Sequence, residues 1–304
     1  MDTQIIDIAD LDCIYLSYDE PKKEEFWIQI QNMVPWADRV DGVKGSDAAH
    51  KAAAAKSNTE WFVLIDGDNL PDPEFFNLQL EIEPAFEDGA FRWKAKNVIN
   101  GLRYGNGGLR VWSRAFVNNM QTHEASDGSD DTAVEFCFDP KYIAMHNCYS
   151  TTYPNGTPKQ AWRAGFREGV KLATDRGVRI LKEELKNNHW RCLHWLYIWS
   201  MVGKDVEYGE WAILGTRAGL YMTMCTDWDY VQVRDFKYLN DLWKVSFESI
   251  EDVDYEIEEY GIKLINELDI PIAEQPLDAQ QSKFFKSVYQ HPSRTDHQRF
   301  IEKL

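Results

Sequence analysis

Two aspartates separated by one glycine, Asp66-Gly67-Asp68, are the clearest chemical feature of the sequence. They directly follow the apolar run 61–65, whose composition predicts a strand buried on both faces. Two carboxylates at i and i+2 in a loop can reach one hard cation, and the intervening glycine permits close approach. The tripeptide therefore predicts a cation site at the carboxyl end of a buried strand, with Asp66 and Asp68 as metal ligands.

The elements that must position this site form a βαβαβ series. They are predicted as a strand at 12–18, a helix at 22–33, a strand at 36–40, an Ala-rich helix capped by Ser46 or Asp47 and running to 56, and the strand at 61–65. This order predicts an α/β fold with a mostly parallel sheet covered by helices. Ligands of such sheets gather beyond the carboxyl ends of the strands, which is where Asp66 lies. Further strands are expected near 91–98, 108–112 and 134–138, with a helix over 113–120.

The second half of the sequence has a different character. It is rich in Trp, Leu and Arg at helical spacing, which predicts helices at 159–187, 189–202, 208–224 and 235–247 and a short one after Asp278. We therefore expect an α/β domain over residues 1–157 and a mainly helical C-terminal region over 158–304 that packs on it.

Composition narrows the class of protein. The 304 residues carry a formal charge of −17, which argues against a surface that coats nucleic acid. Five cysteines are scattered without zinc-like spacing, so reduced thiols are expected rather than a disulfide framework. The N-terminus has no basic region typical of a secretion signal, and no apolar run approaches 18 residues, so we expect a cytoplasmic protein without a membrane span.

The block from Asp12 to Pro73, with the sequence LIDGDNLP at 64–71, resembles GT-A glycosyltransferases, whose DXD motif binds a metal ion and a sugar diphosphate. With 100–112 and 160–171 it also resembles glycosyltransferase-like proteins of tailed phages. The resemblance implies a Rossmann-like GT-A domain, Mn²⁺ or Mg²⁺ as cofactor, and a nucleotide-sugar donor, with a UDP-sugar expected. It implies donor contacts from Tyr18, Asp19, Lys44, Asp47, Lys51, Asp66 and Gly67. For the lysines and Asp47, a solvated turn and helix face is the alternative.

A glycine-rich block at 100–112 precedes a predicted strand. Its backbone can approach a sugar closely, and Asn106 and Gly107 are the expected donor contacts. A glycine hairpin without a ligand is the alternative. The register does not fit a dinucleotide-binding motif.

The resemblance also suggests residues for the chemical step. His146, expected after a late strand, is the candidate third metal ligand, against the alternative of a hydrogen-bonded structural histidine. An inverting enzyme needs a carboxylate base, for which Glu135 is the first candidate and Asp131 the second. A retaining enzyme needs no dedicated base, and the sequence leaves the stereochemistry open.

A basic stripe stands out in this acidic chain. Arg163, Arg167 and Lys171 are spaced by four and share one face of a predicted helix. The donor diphosphate or a phosphate-bearing acceptor would suit Arg163 and Arg167. Pairing with the chain's own surplus of carboxylates is the alternative.

Three other interpretations stay open beside transfer to an unknown acceptor such as a glycan. One is glycosylation of a modified base in phage DNA. Another is metal-dependent nucleotidyl transfer, which predicts a third carboxylate and a basic phosphate cradle close to Asp66. The last is a non-catalytic binding module, which predicts that Asp66 and Asp68 pair with neighbouring Lys or Arg.

Overall fold

The computed structural model describes residues 3–105, 108–120, 139–175 and 177–291. These residues form two units. The first contains the described parts of 3–98, 103–120 and 139–153, and the second contains 99–102, 154–175 and 177–291. The second unit thus begins at Pro154, four residues before the predicted boundary, and takes in the short segment Ile99–Leu102.

The first unit is mixed α/β. Its elements are β1 (Gln4–Asp7), β2 (Asp12–Ser17), α1 (Lys23–Met33), β3 (Asp38–Asp41), α2 (Ser46–Lys56), β4 (Trp61–Asp66), β5 (Asn69–Pro71), β6 (Gln79–Ile82), β7 (Ala90–Asn97), β8 (Arg103–Tyr104), β9 (Leu109–Ser113), α3 (Arg114–Asn119) and β10 (Tyr142–Thr152). The predicted βαβαβ opening is present as β2, α1, β3, α2 and β4. The predicted cap of α2 is wrong, because Gly45 occupies that position and no side chain caps the helix.

The main sheet has eight strands in the order β3-β2-β4-β9-β7-β10-β5, with β8 paired to β7. Strands β2, β3, β4, β7 and β10 run in one direction, whereas β9, β5 and β8 run against it. The sheet is therefore mixed rather than purely parallel. Strand β1 pairs with β6 in a separate two-stranded sheet.

Strand β4 is buried on both faces, as its composition predicts. Trp61, Val63 and Ile65 belong to one apolar cluster, which also includes residues of α1. Phe62 and Leu64 belong to the other, which includes residues of α2 and α3. Each side chain of this kind contributes about 1.5–3 kcal/mol when fully buried, so both layers anchor the strand that ends at Asp66.

The second unit is mainly helical. It contains α4 (Pro158–Leu172), the hairpin β11 (Thr174–Asp175) and β12 (Val178–Arg179), α5 (Trp190–Met201), α6 (Gly209–Cys225), α7 (Phe236–Ser246), α8 (Val253–Leu268) and α9 (Ala279–Val288). The predicted helix over 159–187 is wrong beyond Leu172, because the chain turns into the hairpin, where Gly177 has a φ of 86°. Helix α9 begins as expected after Asp278, which forms a capping box with Gln281.

Helices α4 and α6 pack backbone against backbone. A β-carbon at Gly165 or Gly169 of α4 would overlap a carbonyl oxygen of α6, and one at Gly215 or Gly219 of α6 would overlap a carbonyl oxygen of α4. Glycine is therefore required at this crossing, and the two helices are held in one register.

Helix α6 also carries a fully buried cation. Arg217 donates hydrogen bonds to the backbone oxygens of Ser200 (3.0 Å), Ile257 (2.8 Å), Ala273 (2.9 Å) and Glu274 (2.6 Å). Burial lowers the pKa of Arg217 to about 10, so the side chain is charged at neutral pH. The carbonyl oxygens replace the water that this guanidinium loses on folding. Within the described ranges, no helix is both long and apolar enough to cross a bilayer.

Candidate functional site

The Asp66-Gly67-Asp68 tripeptide lies at the carboxyl edge of the main sheet, as predicted. Asp66 is the last residue of β4, and the parallel neighbours β2 and β3 end at the same edge. The hydroxyl of Tyr15, in β2, donates a hydrogen bond to the carbonyl oxygen of Gly67 (2.8 Å). The turn after β4 is thereby fixed to the next strand.

Asp66 forms an ion pair with Arg110, which comes from the antiparallel strand β9. Nη1 of Arg110 is 2.9 Å and 3.0 Å from the two carboxylate oxygens of Asp66, and Nε donates to the hydroxyl of Tyr142 (3.1 Å). The Arg110 side chain is 6% exposed and that of Asp66 is 31% exposed. Although burial alone lowers it, the net pKa of Arg110 is raised by Asp66 and Tyr142, so the guanidinium stays charged. Asp66 is therefore neutralised from within the sheet.

Asp68 has neutral partners instead. Its carboxylate accepts hydrogen bonds from Nδ2 of Asn69 (2.8 Å) and the hydroxyl of Thr152 (3.4 Å) at the end of β10. Its backbone oxygen accepts from the amide of Tyr153 (2.8 Å). Burial, and then the charge of Asp66, raise the pKa of Asp68 above its usual range. This carboxylate is thus oriented and desolvated without an ion pair among the described residues.

A third carboxylate, Glu20, approaches from the turn after β2. A β-carbon at Gly67 would lie 2.5 Å from Oε2 of Glu20, so the absence of a side chain at position 67 makes room for this carboxylate. The amide of Tyr18 donates to Oε2 of Glu20 (2.7 Å). Burial raises the pKa of Glu20, and the charges of Asp68 and Asp66 raise it further. Because their charges repel one another, ionisation of Glu20, Asp66 and Asp68 together is disfavoured unless a cation is present.

The loop before β9 completes the turn by close approach. The carbonyl oxygen of Gly108 accepts from the amide of Asp66 (2.7 Å), and a β-carbon at Gly108 would overlap Nδ2 of Asn69. The hydroxyl of Ser150 donates to Oδ1 of Asn69 (3.3 Å). Asn69 therefore links the turn to β10 and orients the carboxylate of Asp68.

The expected three-ligand metal site does not form among the residues that the structure describes. Within them, no group of three His, Cys, Asp or Glu side chains is arranged to hold a metal ion. His146 is exposed and lies inside β10, six residues before Thr152, rather than after a strand end. It falls where the pairing of β10 with β7 is irregular, between Ala144 and Cys148, and its role as a metal ligand stays a prediction. The carboxylates and the hydroxyl at Asp68 are nevertheless hard oxygen donors of the kind that Mg²⁺ and Mn²⁺ take.

The expected donor contacts of the first unit follow β2 and β3. Tyr18 (45% exposed) and Asp19 come directly after β2, and Lys44 lies in the turn after β3. Asp47, in the first turn of α2, is partly buried, and Lys51 is exposed one turn further on. These side chains therefore follow the strands that end at the same sheet edge as the tripeptide.

A charged network that was not predicted from the sequence lies between the ends of β2 and β3. Asp41, the last residue of β3, accepts from the hydroxyl of Ser17 (2.7 Å) and from Nζ of Lys23 (2.7 Å), and Arg39 lies 3.2 Å away. Although burial raises the pKa of Asp41, the hydrogen bonds from Lys23 and Ser17 lower it overall. Arg39 also pairs with Glu24 (2.7 Å). Asp41 is thus ionised and held by cations, in contrast to Asp68.

The other predicted residues are placed differently. Arg163 and Arg167 lie on α4 in the second unit, so their part in donor binding stays a prediction. Four predicted residues lie outside the described ranges, namely Asn106, Gly107, Asp131 and Glu135.

Three residues of the site were not singled out as site residues from the sequence. Glu20 follows a strand in an ordinary-looking acidic turn, Arg110 lies inside a strand, and Thr152 ends a strand not predicted there. The one local signal was the apolar stretch around Arg110, because a charged residue inside a buried strand requires a buried partner. Comparison with protein-family models, curated proteins and solved structures finds no match to this chain.

Proposed function

We propose that this protein is a metal-dependent glycosyltransferase that takes its sugar from a nucleotide-sugar, with a UDP-sugar as the expected donor. The observation that carries the proposal is the pair of carboxylates, Asp68 and Glu20, at the carboxyl edge of the sheet. Both have a raised pKa and lie beside Asp66. The βαβαβ opening and the largely parallel sheet support a GT-A type of domain, although such a fold hosts other activities as well. A cytoplasmic location belongs to the same proposal.

Mg²⁺ or Mn²⁺ would be held by Asp68, with Asp66 or Glu20 beside it. Such ions are commonly bound by one or two carboxylates together with substrate phosphates, so a site without three protein ligands fits them. When bound, the ion would neutralise charge on the departing diphosphate. Asn69 and Thr152 orient Asp68 through their hydrogen bonds, and Arg110 fixes Asp66.

Residues after β2 and β3 would contact the donor. We assign this role to Tyr18 and Asp19 near the nucleoside and to Lys44, Asp47 and Lys51 near the diphosphate. The base of an inverting reaction remains Glu135 or Asp131. The acceptor, a glycan or a DNA base, and the stereochemistry stay open.

The test is thermal unfolding with Mn²⁺ and a panel of nucleoside diphosphates. A ligand that binds only the folded state raises the unfolding temperature by mass action. We expect UDP with Mn²⁺ to raise it in the wild type and in Asp10→Asn, a control that neutralises an exposed carboxylate of the same unit. The rise should be lost in Asp68→Asn. If no nucleoside diphosphate stabilises the wild type, the donor site is wrong.

A second candidate function is a non-catalytic nucleotide-binding module, which the Asp66–Arg110 ion pair favours. A non-catalytic module would hold both Asp66 and Asp68 in ion pairs, and Asp66 has such a partner in Arg110. Binding of UDP without hydrolysis of any UDP-sugar, in the presence of Mn²⁺, would favour the module. Nucleotidyl transfer fits less well. Glu20 supplies the third carboxylate that this reaction predicts, but Arg110, the cation beside Asp66, is buried in its ion pair and does not form a phosphate cradle.

A further inference from the structure

Helix α4 presents two arginines on the side opposite its glycine face. Arg163 and Arg167 lie two residues before and two residues after Gly165, and at 3.6 residues per turn both point away from it. Gly165 is pressed against the backbone of α6. The direction of the two arginines is therefore fixed by the packing of the helix backbone and does not depend on their own contacts.

Both guanidinium groups lie over one aromatic ring. The central carbon of Arg163 is 4.8 Å from the ring centroid of Phe236, and that of Arg167 is 5.0 Å from it. Phe236 is the first residue of α7 and is 41% exposed. Two cations and one exposed ring thus form a single surface cluster, which we call the Arg163–Arg167 cluster.

Arg167 forms no ion pair in the part of the chain that the structure describes, although the charge of Glu168 acts on it. Glu168 forms an ion pair with Lys171 on the same helix. Burial lowers the pKa of Arg167, Glu168 raises it, and the positive charge of Arg163 lowers it again. A partly buried cation beside a like charge is an unfavourable arrangement unless an anion is bound there.

We propose that Arg163 and Arg167, flanked by Phe236, bind a phosphate group of an anionic ligand. A guanidinium carries several N–H donors in a planar fork that matches two phosphate oxygens at once. Two guanidinium groups carry two positive charges, which match the charge of about −1.5 to −2 on a phosphate group better than the single charge of a carboxylate. The ligand is a nucleotide or a phosphorylated acceptor, and the site needs no metal ion. The inference therefore does not rest on the proposed function.

The alternative role for these arginines is packing on Phe236 by cation–π contact alone. Arg191 provides the matched control, because it is exposed, belongs to the same unit and lies 5.3 Å from the ring centroid of Trp190. Arg191→Gln removes the same charge and the same kind of ring contact. A difference between the two substitutions therefore reports on the cluster.

The experiment is thermal unfolding in EDTA, with inorganic phosphate titrated against chloride at constant ionic strength. EDTA removes the contribution of the proposed metal site. We expect phosphate to stabilise the wild type and Arg191→Gln alike, and its apparent affinity to fall by about tenfold or more in Arg167→Gln. Arg167→Lys keeps the charge and the aliphatic stem but not the fork, so we expect a smaller loss of affinity there.

Equal phosphate affinity in the wild type, Arg167→Gln and Arg167→Lys would overturn the proposal and leave packing as the role. Repeating the titration with UDP and with glucose 6-phosphate identifies the source of the phosphate. Tighter binding of UDP indicates the nucleotide, and tighter binding of glucose 6-phosphate indicates a phosphorylated acceptor. Because metal is absent throughout, failure here would leave the test of the Asp68 site untouched.

Discussion

The two aspartates of the tripeptide should respond in opposite directions to loss of their charge. Asp66 neutralises Arg110, a side chain that is 6% exposed, over distances of 2.9 Å and 3.0 Å. Asp68 accepts hydrogen bonds from neutral groups, and burial raises its pKa. We therefore predict that Asp66→Asn destabilises the metal-free protein and that Asp68→Asn stabilises it.

The magnitudes follow from burial. Removing one partner of a buried ion pair costs about 3–5 kcal/mol, because the other charge stays buried without compensation. Asp66 keeps 31% exposure, so we expect the lower end, about 3 kcal/mol. At about 2–4 °C per kcal/mol, the unfolding temperature falls by about 6–12 °C. For Asp68→Asn the gain is about 1.4 kcal/mol for each unit by which folding raises the pKa of the carboxyl.

The assay is thermal unfolding in EDTA at neutral pH, followed by circular dichroism, with Asp10→Asn as the control. The control should unfold within about 1–2 °C of the wild type, as is usual for an exposed side chain. Equal stability of Asp66→Asn and the wild type would refute the structural role of the ion pair. A loss in Asp68→Asn as large as that in Asp66→Asn would refute the division of roles between the two aspartates.

Three further predictions concern other parts of the structure and the pH dependence of the site. Gly165→Ala should destabilise the protein by about 3 kcal/mol or more, because its methyl group overlaps a carbonyl oxygen of α6. Ala164→Ser is the control, and equal losses of stability in the two variants on urea unfolding would contradict the close packing. Arg217→Met should cost at least about 2 kcal/mol, because two buried and two partly buried carbonyl oxygens lose their donor. Arg191→Met should change the free energy of unfolding by less than about 0.5 kcal/mol. In EDTA, the stability advantage of Asp68→Asn over the wild type should grow as pH rises from about 4. The pKa of Asp68 is raised in the folded protein, so the wild type loses stability as this carboxyl ionises, and an advantage that does not change with pH would contradict this cause.

Local patterns were enough to predict the location of the site. The apolar run of β4 has one structural solution, a strand covered on both faces, and the polar tripeptide after it must then lie at the sheet edge. The alternation of strands and helices before it predicted that β2, β3 and β4 run parallel, and they do. These inferences depend on neighbours in sequence, which a single sequence displays.

The partners of the site could not be predicted in the same way. Arg110 reaches Asp66 because β9 is inserted antiparallel between β4 and β7, and Thr152 reaches Asp68 because β10 ends beside β5. Strand order and register depend on contacts between distant residues, and no local pattern encodes them. The position of His146 within β10 depends on such contacts as well, and its role as a metal ligand stays a prediction.

Helix α8 was missed although its signal is present. Ile257, Gly261, Leu264 and Leu268 follow one helical face and are buried, but the many charged residues between them obscure this pattern in the sequence. The opposite error, a helix predicted too long, occurred after α4, because helical spacing of apolar residues continues in the sequence past Leu172. Gly177, which adopts a positive φ in the hairpin turn, was the stronger signal there, because a glycine inside a helical pattern can mark the end of the helix.

The buried Arg217 has a consequence for how the chain is made. The ribosome releases the N-terminal part first, so Ser200 emerges 17 residues before Arg217. Its other acceptors follow later, with Ile257, Ala273 and Glu274 trailing by 40, 56 and 57 residues. Until they arrive, closing α6 into the interior would bury a cation without most of its acceptors. A nascent chain that stops before residue 273 therefore leaves the Arg217 face of α6 uncovered, although α4 is already available to pack on the glycine face, and at this stage of synthesis a chaperone would be needed.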